Sequence, residues 1–126
     1  MASGFTYAKA LSILQTHIKS DTYVCLSTST PDLNGGNFNE PATSAGYIRQ
    51  KIGAIEPSDT AQISNKNVIF LFEALSDCGT ITHIGLSDSE TRGNPVFLVA
   101  ELTAPVTVPE GYVPLIRAGN LKIGLS

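Results

Sequence analysis

The sequence predicts a mainly β protein, an antiparallel, jelly-roll-like β-sandwich preceded by one N-terminal amphipathic helix. Three observations carry that expectation. From residue 22 onward, short runs rich in Val, Ile, Thr, Tyr and Phe recur about every 8 to 15 residues, each closed by turn formers. Only the first twenty residues carry the apolar spacing of a helix. No internal repeat and no heptad pattern occurs, which excludes a coiled-coil shaft. The 126 residues suit one domain. Residues 1–21 form the helical segment, packing on the domain or on a neighbour, and residues 22–126 form the β-sandwich.

In the helical segment, Tyr7, Ala10, Leu11, Leu14 and Ile18 fall on one face, with Lys9, Ser12, Thr16 and Lys19 opposite. Ser3 or Thr6 is placed to cap the start. Phe5 lies off the stripe, set either for a staple-like contact with the core or for a neighbouring subunit. Phe5, Tyr7, Leu11, Leu14 and Ile18 are therefore the candidate partner-binding residues. Tyr23-Val24-Cys25-Leu26-Ser27-Thr28 reads as the first strand, ended by Thr30-Pro31-Asp32. A long polar loop over 31–45 follows, tightest at Asn34-Gly35-Gly36-Asn37. Residues 46–52 alternate weakly, as a half-exposed strand would. Residues 54–62 read as a second loop. Strands are expected at 68–72, 80–86, 96–100, 105–108, 112–116 and 121–126, which makes eight in all. The runs at 68–72 and 96–100 are apolar on both faces, yet a two-layer sandwich covers only one face of each sheet. The helix or a partner subunit is expected to cover the other.

Composition removes several function classes. Charged residues are 15% of the chain, against about 25% in an ordinary soluble domain, and the net charge is −3. The eight Lys and Arg are scattered, so no phosphate-neutralising or membrane-binding basic patch forms. No run is long and apolar enough to span a bilayer. The first residues lack the basic flank and apolar stretch of a signal peptide, so synthesis in a cytoplasm is expected. Cys25 and Cys78 are too few for a disulfide framework and read as free thiols.

The chemistry-bearing residues do not assemble into a motif. His83 lies in a strand, where neighbours point to opposite faces, and no nucleophile elbow accompanies it. Its expected role is structural, hydrogen-bonded across strands. His17 falls on the edge of the helical stripe. Glu73, Glu101 and Glu110 lie at strand ends or turns, as solvated charges do, and the chain has no Trp to stack a sugar. The Asp32 to Asn37 run resembles a calcium loop but has Gly36 and Asn37 at the fifth and sixth positions, without flanking helices. No catalytic residue, cofactor or metal site is expected.

The ordered segments carry a resemblance. Tyr23-Val24-Cys25-Leu26-Ser27-Thr28-Ser29-Thr30-Pro31 resembles the Y-V-A-L-S-T-x-x-P opening of small tailed-bacteriophage virion proteins, the Gp80-like group of phage tail fibre proteins. Asn39-Glu40-Pro41 and Gly46-Tyr47-Ile48-Arg49-Gln50 are similar to that group's E-P…G-Y-A-R. Ile63-Ser64-Asn65 resembles its S-N piece before an apolar strand, Gly79 to Leu86 its G-T-V-T-H-F-G-I, and Leu102 to Ile123 its C-terminal pattern. The matches keep their order from residue 23 to the end. Cys25 stands where a small residue is usual, and Asp77-Cys78 where an aromatic is common.

The resemblance implies a non-enzymatic structural protein of a tailed-phage virion, made in the bacterial host cytoplasm and acting by protein–protein assembly. Tail or fibre association and capsid decoration, as a cement protein, both fit. The implied partners are other virion proteins, the tail or the major capsid protein, and further copies of the chain, for instance in a trimer. A rival from another class is a carbohydrate- or receptor-binding module using loops 31–45 and 54–62, with Tyr47 or Asn37 in its site.

Overall fold

The computed structural model describes residues 6–58 and 60–124. Among the described residues, one helix, α1 (Tyr7–His17), precedes nine strands: β1 (Tyr23–Ser27), β2 (Gln50–Lys51), β3 (Ile55–Pro57), β4 (Gln62–Asn65), β5 (Ile69–Phe70), β6 (Thr80–Ser87), β7 (Leu98–Thr107), β8 (Leu115–Ile116) and β9 (Lys122–Gly124). They form a four-stranded sheet in the order β2-β1-β6-β7, a three-stranded sheet β3-β4-β9, and the pair β5-β8. Every pairing is antiparallel. The architecture is mainly β with one N-terminal helix, consistent with the β-sandwich read from the sequence.

Helix α1 begins where Thr6 Oγ1 accepts the Lys9 amide at 3.3 Å. It ends at His17, three residues earlier than its pattern suggests, because Ile18 turns extended. Ala10, Leu14 and Ile18 are buried and Leu11 is half-buried. The helix packs on β4 and β9, so its stripe caps the smaller sheet of its own chain.

A single cluster forms the core. Val24, Leu26, Ile84 and Leu86 face it from the larger sheet, Ile63 and Ile123 from the smaller, and Leu14 and Ile18 from the helical segment. Tyr47 and Phe72 meet edge to face inside it, with ring centroids 5.4 Å apart.

The outer face of β1 and β6 is buried too, since Cys25, Ser27, His83, Gly85 and Ser87 are all inaccessible. The long loop after β1 supplies this cover. A Cβ on Gly85 would lie 2.9 Å from the Phe38 ring and 3.2 Å from Val96, so only glycine admits them. Ser27 Oγ accepts the Asn39 amide and Ser87 Oγ donates to Pro95 O, which fastens the loop and the 88–95 turn to the sheet. The chain's own loop thus covers the second face of these two strands, for which no outside cover was expected. It does not extend to β5 and β7, where Phe70, Val99 and Val106 stay exposed.

Several boundaries differ from the sequence pattern. The expected strand over 46–52 is reduced to β2, because a 3-10 turn (Thr43–Ala45) ends at Gly46 with φ 91°. A Cβ there would stand 2.2 Å from Glu73 O, a contact no other residue could make. The expected loop 54–62 is mostly a hairpin, β3 turning into β4, with Pro57 on the edge strand where a missing N–H costs little. The runs 96–100 and 105–108 are one strand, β7, which tolerates Pro105 because it too is an edge. The register slips between Ile81↔Val106 and His83↔Glu101, so residues 102–105 bulge opposite Thr82 alone. The strands expected at 68–72 and 112–116 shorten to β5 and β8, and the last one to β9, with residues 125 and 126 outside the described residues.

Candidate functional site

The most elaborate polar arrangement lies beneath the surface. Arg49 and Glu40 form a two-pronged ion pair, Nη2 to Oε1 at 2.7 Å and Nε to Oε2 at 2.9 Å, with side chains 0% and 3% exposed. Tyr47 Oη donates to Glu40 Oε2 and accepts the Leu26 amide of β1 at 3.0 Å. The Gly93 amide donates to Glu40 Oε1 at 2.9 Å. Arg49 also donates to Ser89 O and Asn94 O, and Arg92 to Pro41 O and Glu40 O. The cluster thus ties the 37–49 segment, the 88–95 turn and β1 into one unit. Among the described residues, no buried side-chain nitrogen or oxygen lacks a partner.

Electrostatics follow from that geometry. Burial alone would raise the Glu40 carboxyl, but hydrogen bonds from Arg49, Tyr47 and the Gly93 amide outweigh it and hold it below the ordinary value. Burial and the Glu40 carboxylate both raise the Tyr47 hydroxyl, which stays protonated as a donor. Burial pushes the Cys25 thiol up to about 12 and raises that of Cys78, so neither is an activated nucleophile.

The residues singled out for chemistry lie apart. His83 is buried, 2.8 Å from Thr82 Oγ1 through Nδ1 and 3.7 Å from Glu101 across the β6–β7 pair. His17 is exposed at the end of α1, and Glu73 and Glu110 are exposed in turns. Asp32 Oδ1 accepts the amides of Asn34 and Gly36, so its carboxylate closes its own turn. Among the described residues, no group of three or more His, Cys, Asp or Glu side chains could share a metal ion. Among the described residues, no helix is long and apolar enough to cross a membrane. For the sugar-binding alternative, Tyr47 is 1% exposed and holds Glu40, so it cannot face a ligand. Asn37 is exposed in a left-handed turn, φ 62°.

What the surface offers is apolar. Phe97 and Val99 are exposed at the start of β7, beside a fully exposed Leu33. Strand β7 has a neighbour on one side only, so part of its backbone donors and acceptors face outward. Phe70 and Leu115 oppose each other across β5–β8 and are 64% and 46% exposed. Leu75 and Tyr112 project from adjoining turns. A groove of about 430 Å³ separates β7 from β8 and β9, lined in part by Leu102, Ile116, Leu121, Arg117 and Lys122. Of the five residues the helical pattern proposed for a partner, Phe5 lies outside the described residues. Tyr7 is 64% exposed, Leu11 is half-buried, and Leu14 and Ile18 are spent on the chain's own core.

Residues 15–124 match the family described as podophage GP4 fiber I protein gp80. The chain belongs to this family. No curated protein matches the chain. The match begins inside α1 and runs through β9, so it takes in the whole β region and the buried clamp. The clamp residues Glu40, Tyr47 and Arg49 are the very letters of the E-P…G-Y-A-R likeness noted in the sequence. That likeness flagged them without their roles. A further signal was available, since an Arg at an inward position of an alternating run needs an acidic partner. Membership makes this a structural protein of a phage virion.

Proposed function

We propose that the chain is a non-enzymatic assembly subunit of the virion, tail- or fibre-associated, that works by docking its uncovered apolar surfaces on other copies and on neighbouring virion proteins. The observation that carries this reading is the exposed apolar surface left on β5, β7 and β8 after the chain's own loop and helix have covered the rest. The clamp serves that role by holding the covering loop rigid, so that a partner meets a preformed surface. Tyr7 and the outer side of Leu11 are the helix's share of the contact. The fibre named in the family description favours the tail over capsid decoration.

A mass-spectrometric inventory of purified virions, with copy number, tests the reading. A small number of copies per particle is expected, in proportion to the tail. Absence from the particle overturns the reading, and copies in proportion to the major capsid protein place the chain on the capsid as a cement protein. Binding of host polysaccharide by the isolated chain, lost on changing Asn37, would support the receptor-binding alternative instead.

A further inference from the structure

The groove beside β7 and the turns that carry Leu75 and Tyr112 complement each other. The groove is walled by Leu102, Leu115, Ile116 and Leu121, with the cations Arg117 and Lys122 among its lining residues. Among the described residues, Glu101 is the only carboxylate that lines it, and that group lies 3.7 Å from His83 Nε2. The turns have the opposite character. Ala74 and Tyr112, Gly111 and Ala74, and Glu110 and Asp77 are hydrogen-bonded to each other, so residues 73–78 and 109–113 form one projection. Leu75 and Tyr112 are 60% and 62% exposed on it, and Glu73, Asp77 and Glu110 accompany them without any Lys or Arg in either segment. A chain with few charges thus carries a partly apolar recess, with Thr103 and Asn120 in its lining and two bases to one acid, and an apolar projection flanked by acids.

We propose that the groove beside β7 receives the Leu75–Tyr112 projection of a second copy of this chain. The apolar side chains fill the recess, and Glu73 and Glu110 meet Arg117 and Lys122 at its rim, where opposite charges set orientation and exclude wrong pairings. Recess and projection use different residues, so the contact closes either as a two-fold pair that makes it twice or as a ring. The inference rests on the reading of the chain as an assembly subunit, and supplies its partner and contact.

Charge reversal tests it, with mass measured by light scattering and native mass spectrometry on the full chain. One variant carries Arg117→Glu with Lys122→Glu, and the other Glu73→Lys with Glu110→Lys. All four side chains are exposed, and far-UV circular dichroism is the check that each variant folds. The wild type is expected to form oligomers. Each variant alone should need at least about tenfold higher concentration to associate, and an equimolar mixture of the two should regain wild-type assembly. A control, Lys9→Glu with Lys51→Glu, should assemble as the wild type does.

A wild type that stays monomeric, a variant that assembles unchanged, a mixture that stays apart, or a control that fails alike each overturns the proposal. A monomeric wild type whose Arg117→Glu, Lys122→Glu form is lost from virions would give the groove to another virion protein. In that case the assembly role survives and self-association does not, so the two readings fail separately.

Discussion

Arg49→Met should cost the fold about 3–5 kcal/mol, because it leaves the Glu40 carboxylate buried without its counter-ion. The structure sets that magnitude. Arg49 donates two bonds to Glu40 and one each to Ser89 O and Asn94 O, and both side chains of the pair are nearly inaccessible. Water cannot replace the lost partner without opening the loop that covers β1 and β6. Against a total stability of about 5–15 kcal/mol, this is a large fraction. A fall in Tm of about 10–20 °C is expected for a chain of this length.

The pH dependence gives a sharper readout. In the wild type Glu40 titrates below its unfolded value of about 4.3, so its contribution is present above that pH and lost as pH falls through the folded value. In the variant the sign reverses, because burial without Arg49 raises the carboxyl. The gap between the two proteins should therefore narrow as pH drops toward 4. Urea unfolding followed by circular dichroism at pH 7 and pH 4.5 measures both effects. Glu40→Leu combined with Arg49→Met removes both charges and should cost clearly less than the sum of the single changes. A loss under about 1 kcal/mol for Arg49→Met, or strict additivity in the double variant, would refute the view of this pair as a buried, coupled clamp.

Gly46→Ala should destabilise by more than about 1 kcal/mol, since it meets both a positive φ and a backbone oxygen at 2.2 Å; urea midpoints read it directly. Leu14→Ala should cost about 2–5 kcal/mol, as its side chain belongs to the core and not to an outer face, and thermal unfolding checks this. Cys25, with its thiol raised to about 12, should resist iodoacetamide at pH 8 in the folded chain and react in urea, as mass spectrometry of the labelled peptide would show.

Elements whose signal is local were legible. The helix, three residues shorter than its pattern at its end, and β1 and β6 appear close to where their patterns place them, because a one-face stripe at period 3.6 and a dense β-branched run need little outside help. Thr6 caps α1 as its position suggests. Residues 46–52 were not legible in the same way. Their alternation is real, but it points Tyr47 and Arg49 inward and Ile48 outward, and the acidic partner that lets Arg49 sit inward, Glu40, lies nine residues away in a loop. Residues 54–62 contain Pro and Ser and look like a loop, yet a partner strand turns three of them into β3. Pro105 suggests a break in β7, and only the edge position of that strand removes its cost.

Periodicity, composition and motifs alone establish the class of protein: mainly β, one helix, few charges, and a family likeness that the match over residues 15–124 bears out. Periodicity, composition and short motifs are properties of neighbouring residues, so they survive without a fold. Tertiary structure decided which apolar faces are left over. The sequence pattern offered the helix or a partner as cover for the excess apolar residues, and a covering loop was not among its candidates. Only packing shows that Phe38 and its loop cover β1 and β6, that α1 covers β4 and β9, and that Phe70, Val99 and Leu115 remain open. Burial depends on residues distant along the chain, and that makes the assembly surface a property of the fold.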